Sequence, residues 1–259
     1  MIKARGLSPG RAEGEAVVCD QYISPLGEIS NEGIIASGPC EGREISGKVM
    51  IFKGGRGSTV GSYVFIQLRE KGKAPAGMIN EIGDQMIVTG AIISEIPMVD
   101  SVPLDIFISG DHVSVDGTAG SVEIRNVEER EVATAYITRE DKILVMKRSE
   151  SALTYPGSFG GVSGYVEKGE KPVEAALREV GEETSLKDVN ILNVGKEVLV
   201  RYQNILFKIT PVLMKTSSDE IKLNYENSAF FWMTREELNS IKTVPKFKET
   251  YDLLVGRKP

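Results

Sequence analysis

Three glutamates in the stretch GYVEKGEKPVEAALREVGEETSL, Glu179, Glu182 and Glu183, stand at spacing i, i+3 and i+4. On a helix this spacing projects all three carboxylates from one side. Like charges so placed repel, and two readings follow: a solvated acidic face, the ordinary fate of a charge cluster on a helix, or a site for a hard cation. Carboxylate oxygens suit magnesium or manganese, which in turn bridge and neutralise phosphate oxygens. A second stretch, GKVMIFKGGRGSTVGSYVFIQL, sets Gly54, Gly55, Gly57 and Gly61 around Arg56 and Ser58. Between a strand and a helix, such a loop offers backbone N–H groups and a guanidinium to a small phosphate, with Gly55, Arg56 and Gly57 as candidate contacts. It is not a Walker loop, since no GK[ST] follows, and Val60 stands where a dinucleotide fingerprint has glycine. From the residues alone a purely structural reading is the stronger, in which the glycines permit a tight turn and Ser58 caps the helix.

The elements that must position these groups follow from local pattern. Pro172 suits a first helical turn, and Ala175, Ala176, Leu177 and Val180 add helix formers with an apolar face, so a helix is expected from about Pro172 to Thr184. Upstream, EAVVC, GKVMIF, AGMIN and VPLDIFI read as strands, while TVGSYVFIQLREKG and QMIVTGAIISEI have helical spacing. DHVSVDGTAGSVEIR alternates about a DGTAG turn and predicts a closing hairpin. NVEEREV then reads as a charged link, followed by strand, turn and strand in VATAYITREDKILVMKR. The fold class expected is α/β in two domains, residues 1–128 and 129–259, with the boundary near 126–131.

With 37 acidic against 31 basic residues and a net charge of -6, the chain carries no positive field for nucleic acid or anionic membranes. Two cysteines, Cys19 and Cys40, even with the lone His112, cannot build a disulfide framework, a structural zinc site or an iron–sulfur cluster. That count, no apolar h-region after MIKARGLSPGRAEGE and no membrane-length apolar run point to a protein of the reducing cytoplasm.

The acidic stretch resembles the Nudix box, G(x5)E(x7)REUxEExGU with U a bulky apolar residue, through Gly164, Glu170, Arg178, Glu179, Val180, Glu182, Glu183 and Leu186. Ser185 departs from it where the pattern has glycine, a substitution that costs about 1 kcal/mol in a left-handed helix end and removes no ligand. The resemblance implies a Nudix α/β/α sandwich across residues 129–259 and assigns Glu179, Glu182 and Glu183 to a divalent metal. Arg178 would hold the carboxylates and contact substrate, and Glu170 would support the junction of loop and helix. The implied reaction is attack of a metal-activated water on a diphosphate-containing small molecule, with Glu182 and Glu183 as catalytic candidates. Glu226, in KLNYENSAFFW, is similar in placement to a residue that follows the box in some members, as a metal ligand or base; the alternative is a solvated side chain. Trp232 and Phe231 are either base-stacking or core aromatics.

The first half, from KARGLSPGRAEGEAVV through GGRGSTVGSYVFIQL to IVTGAIISEIPMVD, resembles the swivelling domain of the aconitase X family, and within it the small subunits of archaeal phosphomevalonate dehydratases. This implies an aconitase-type swivelling β/β/α domain over about residues 2–126. A serine of the glycine stretch, Ser62 or Ser58, would act as the base in dehydrating 5-phosphomevalonate, with Arg56 lowering the alkoxide's energy. The iron–sulfur cluster would come from a separate large subunit, docked around the glycine loop over about 1,600 Å² in total for an interface of standard size. Three readings result: a bifunctional fusion; a Nudix hydrolase whose first half is a scaffold; and a Nudix-like ligand sensor that regulates the dehydratase.

Overall fold

The computed structural model describes residues 1–224 and 227–257. They fall into two compact units, Met1–Val127 and Glu128–Pro259. Only Arg125, Asn126, in left-handed conformation, and Val127 separate the last strand of the first unit from the first strand of the second. The charged run EEREV, expected as a link, already belongs to that strand.

In the first unit the strands are β1 (Ile2–Lys3), β2 (Arg5–Ser8), β3 (Arg11–Ile23), β4 (Val49–Gly55), β5 (Gly77–Asn80), β6 (Met98–Asp100), β7 (His112–Asp116) and β8 (Ser121–Ile124), with helices α1 (Pro25–Glu28), α2 (Ser62–Glu70) and α3 (Gln85–Ile93). They form one sheet in the order β1-β8-β7-β3-β4-β5-β6-β2. The terminal neighbours in that order, β1 and β2, are separated in the chain by Ala4 alone, so the sheet curls until its ends meet. β3 serves both halves: Arg11–Glu15 pairs antiparallel with β7, and Ala16–Ile23 pairs parallel with β4. The parallel part reads VMIF and GMIN and is buried throughout, as strands covered on both faces must be. In β7, Val113 and Val115 are buried while His112 stays exposed, the pattern of a sheet with one wet face. Phe52, Phe65 and Ile87 join sheet, α2 and α3 in a fully buried core.

Two expectations are corrected here. VPLDIFI is a 3-10 turn at Leu104–Ile106 and not a strand. Pro103 has no N–H for a ladder, and the turn buries Leu104 and Ile106 as well as alternation on a strand would. Cys19 and Cys40, read as a sign of a reducing compartment, are joined in a disulfide with Cα atoms 6.0 Å apart, both buried. The intervening residues fold back as a loop that brings Cys40 against β3.

The second unit has β9 (Glu128–Arg139), β10 (Lys142–Arg148), β11 (Phe159–Gly160), β12 (Val162–Tyr165), α4 (Pro172–Thr184), β13 (Val189–Val194), β14 (Val198–Tyr202), β15 (Ile205–Thr216), β16 (Asn227–Met233) and α5 (Phe247–Leu254). β9 is the hub, parallel to β15 and antiparallel to β10 and β12. Its alternation decides the layers. Ala133, Ala135 and Ile137 face Ala175, Ala176 and Val180 of α4, whereas Tyr136 faces Phe247 and Tyr251 of α5 and stacks on Phe247 at 4.9 Å. The sheet is thus sandwiched between two helices, and the chain as a whole is α/β. Among the described residues no helix is long and apolar enough to cross a membrane.

Candidate functional site

In the second unit the site is built on α4. Pro172 opens the helix, and the Glu174 carboxylate accepts the Lys171 N–H at 2.9 Å, satisfying one donor that the first turn leaves without a partner. The helix closes at Ser185, left-handed at φ 60°, which is the conformation the box glycine would supply at lower cost. Arg178 is the hub of the surrounding network. Its Nε and Nη2 donate to the two oxygens of Glu170 at 3.0 and 3.1 Å, Nη1 donates to Glu179 Oε1 at 2.5 Å, and Nη2 also reaches the Tyr165 carbonyl at 3.0 Å. These bonds hold the Glu170 carboxyl below the usual carboxylate range and push the Arg178 guanidinium further up. A Cβ at Gly164 would fall inside the Glu179 carboxylate, so the glycine leaves room for that side chain where Arg178 holds it. Three of the box residues are therefore one object: a strand glycine that makes room, a glutamate that fills it and an arginine that clamps it.

Glu183 is buried, with Oε1 accepting from Ser163 N–H at 3.2 Å and Oε2 from Asn227 Nδ2 at 2.5 Å. Glu179 and Glu183 both face one cavity of about 500 Å³, walled by β9, β12, β14, β15, the segment around Arg148–Tyr155 and the start of α5. Its volume is in the range of small-molecule sites. Glu182 is placed differently: its side chain is 58% exposed, lies 3.6 Å from Arg178 Nη1 and is not on the cavity wall. Arg178 is also off the wall, and its contacts with Glu170, Glu179 and the Tyr165 carbonyl are bracing ones. Among the described residues no three His, Cys, Asp or Glu side chains converge as a metal site. The donor chemistry nevertheless fits a hard divalent cation, with two oxygen-only ligands one helical turn apart on the cavity wall and a third on the same helix. Glu226 lies outside the described residues. Trp232 packs into the core beneath α4, and Phe231 stands edge-on to Phe159, so neither lines the cavity. Asn227, Arg148 and Lys246, which do line it, carry no local sequence signal.

In the first unit the glycine loop joins the end of β4 to a 3-10 turn, Thr59–Gly61, and then α2. It sits at the carboxyl ends of parallel β3, β4 and β5, where open α/β sheets bind ligands. Gly57 has φ 103°, a conformation that favours glycine. The Gly55 N–H donates to Asp84 Oδ2 at 2.5 Å, and the other oxygen of Asp84 caps α3 through Met86 and Ile87 N–H. Arg56 is held by the buried Glu28 carboxylate and donates through Nε to Tyr22 O at 3.1 Å. Glu28 in turn accepts the Ser24 N–H at 2.8 Å. Ser58 is exposed and accepts from Val60 N–H, as the helix-capping reading expects. Ser62 is buried, and its hydroxyl donates to Thr59 O at 2.9 Å. Sequence reasoning missed Glu28 and Asp84, which organise this loop. Tyr22, Leu26, Val60, Tyr63 and Ile82 expose large apolar surfaces on or beside it.

Comparison with known proteins separates the same two parts. Residues 1–124 match the aconitase X swivel domain and residues 128–254 the NUDIX domain. The phosphomevalonate dehydratase small subunit of Methanocella arvoryzae is 46% identical over 129 residues, covering 48% of this chain and 98% of that protein. The crystal structure of holo aconitase X from Thermococcus kodakaraensis is 43% identical over 48% of this chain and 96% of its own, with a TM-score of 0.46. The MutT protein of Methanosarcina mazei Go1 is 22% identical over 50% of this chain and 95% of its own, with a TM-score of 0.44. The chain belongs to the aconitase X swivel-domain family through residues 1–124, and its second unit is a NUDIX domain.

Proposed function

We propose that the chain is a bifunctional fusion: a metal-dependent hydrolase of a diphosphate-containing small molecule in its second unit, and the small subunit of a phosphomevalonate dehydratase in its first. The observation that carries the first part is the clamp of Gly164, Arg178, Glu170 and Glu179 beside buried Glu183, with two carboxylates on the wall of a ligand-sized cavity. Glu179, Glu182 and Glu183 would hold magnesium or manganese. When bound, such an ion acidifies a coordinated water and neutralises phosphate charge. The protein's own part is orientation. Arg178 fixes the Glu179 carboxylate, while Ser163 N–H and Asn227 fix that of Glu183, so neither rotates as a substrate enters.

The dehydratase reading rests on near full-length similarity to the named small subunits and on the exposed apolar ring about the glycine loop. The chain offers no thiolate set for a cluster, because Cys19 and Cys40 are bonded to each other. A separate large subunit would therefore bring the iron–sulfur cluster and cover Tyr22, Leu26, Val60, Tyr63 and Ile82. Ser58 and Ser62 remain the two candidates for the base. Ser58 faces solvent, whereas the buried Ser62 hydroxyl donates to Thr59 O, and whichever is the base must first lose its own proton to solvent or a neighbouring group before it can take one from substrate. Arg56, oriented by Glu28 and the Tyr22 carbonyl, would stabilise the alkoxide through the N–H groups those partners do not take. The test of the hydrolase is phosphate release from diphosphate compounds with and without magnesium, native protein against Glu183→Gln. Metal-dependent release that the variant loses is expected; metal-independent or unchanged release would refute the assignment.

A further inference from the structure

A diphosphate-binding end leaves open what the rest of the substrate is, and the cavity beyond Glu179 and Glu183 has a distinct chemistry. One stretch of its wall is apolar: Val132 of β9, Val198 and Val200 of β14, and Phe207 and Ile209 of β15. Among the described lining residues the only carboxylates are Glu179 and Glu183, and the only carboxamide is Asn227, which already donates to Glu183. Several of the wall hydroxyls are hydrogen-bonded within the protein. Thr134 pairs with Ser163 at 2.9 Å, Ser149 with Ser151 at 2.8 Å, Thr154 accepts from Arg148 at 3.1 Å, and Tyr155 donates to Arg201 O at 3.4 Å. The Lys246 ammonium donates to Leu199 O at 2.8 Å.

A nucleobase or a sugar buried against the stretch of Val132, Val198, Val200, Phe207 and Ile209 would lose its hydrogen bonds to water and find no polar side chain there to replace them. A branched or linear hydrocarbon loses nothing on entry and gains with every methylene covered. We infer that the second unit acts on an alkyl or alkenyl diphosphate, with the diphosphate at Glu179 and Glu183 and the hydrocarbon against Val132, Val198, Val200, Phe207 and Ile209. This inference rests on the diphosphate hydrolase reading above. In the reaction, water adds to one phosphorus, the bridging P–O–P bond breaks, and alkyl phosphate and inorganic phosphate leave.

The test uses the native full-length protein with magnesium and a series of n-alkyl diphosphates of increasing length, a branched five-carbon alkenyl diphosphate, ADP-ribose and diadenosine tetraphosphate. kcat/KM is expected to rise about fourfold per added methylene until the cavity is filled, and to exceed that of both nucleotides. Val198→Asn, which makes a half-buried wall position polar, should flatten the series; the native series stands as evidence whether or not that variant folds. If a nucleotide is the best substrate and the alkyl series is flat, the inference is overturned while the hydrolase reading stands. If no compound is turned over, the hydrolase reading itself falls and takes the inference with it.

Discussion

The two units solve one local problem in opposite ways. Each pins an arginine near a helix against a glutamate: Arg178 against Glu170 and Glu179 on α4, and Arg56 against Glu28 before α2. In the second unit the clamped Glu179, together with Glu183, borders a cavity that has an apolar stretch of wall. In the first, the clamp sits at the carboxyl ends of parallel strands, among large apolar side chains facing solvent. Monomeric proteins seldom gather such side chains about a polar loop without covering them. A site with its own walls can complete its chemistry alone, and one whose apolar rim faces outward is half of an interface.

The contrast breaks first at the carboxylates. Glu179→Gln should reduce diphosphate hydrolysis by more than the roughly 10–100-fold that loss of an outer partner costs. Its melting curve should change little, since the amide still fills the space beside Gly164; a mutant retaining native kcat would remove Glu179 from the site. Next in size, Val60→Asp or Tyr63→Glu should abolish co-purification with a dehydratase large subunit at unchanged hydrolysis, because a charge in a desolvated interface centre is costly. Retained co-purification would put the docking surface elsewhere.

Of intermediate effect are the two serines. In the assembled dehydratase, Ser58→Ala and Ser62→Ala should differ, the base losing kcat and the other changing mainly stability or KM; equal and small losses would exclude both. The smallest effect concerns pH. Burial raises the Asp100 carboxyl, but the stronger combination of Arg5, Gly83 N–H and Ser101 holds it below the usual aspartate value. A lowered folded pKa stabilises fully above the unfolded value, near pH 4, and that stability fades as pH falls toward and through the folded one. The first unit's melting temperature should therefore drop across that acidic window, and Asp100→Asn should flatten the drop. An identical acid profile in the variant would assign the dependence to other groups.

How much of this could be read in the sequence divides along the same line. The bounds of α4 were legible because Pro172 and the apolar spacing of Ala175, Ala176 and Val180 act within one helix. The spacing of Glu179 and Glu183 likewise gave their shared side. Glu182 shows the limit, since helical geometry fixes a side but not which carboxylate faces the cavity. What was not legible is non-local. Glu28 reaches Arg56 across 28 residues and Asp84 reaches Gly55 across 29, and neither distance leaves a periodic trace. The disulfide escaped a count of two cysteines for the same reason, as only the fold of the loop brings Cys40 to Cys19. VPLDIFI misled because a 3-10 turn and a strand both bury alternate residues here.

The central claim, one self-contained site and one half-site on a single chain, is tested most directly by measuring both activities in one variant. Glu183→Gln in the full chain, assembled with a dehydratase large subunit, should lose diphosphate hydrolysis and keep the native rate of phosphomevalonate dehydration. Hydrolysis that survives the substitution, or dehydration that falls in step with it, would contradict the account.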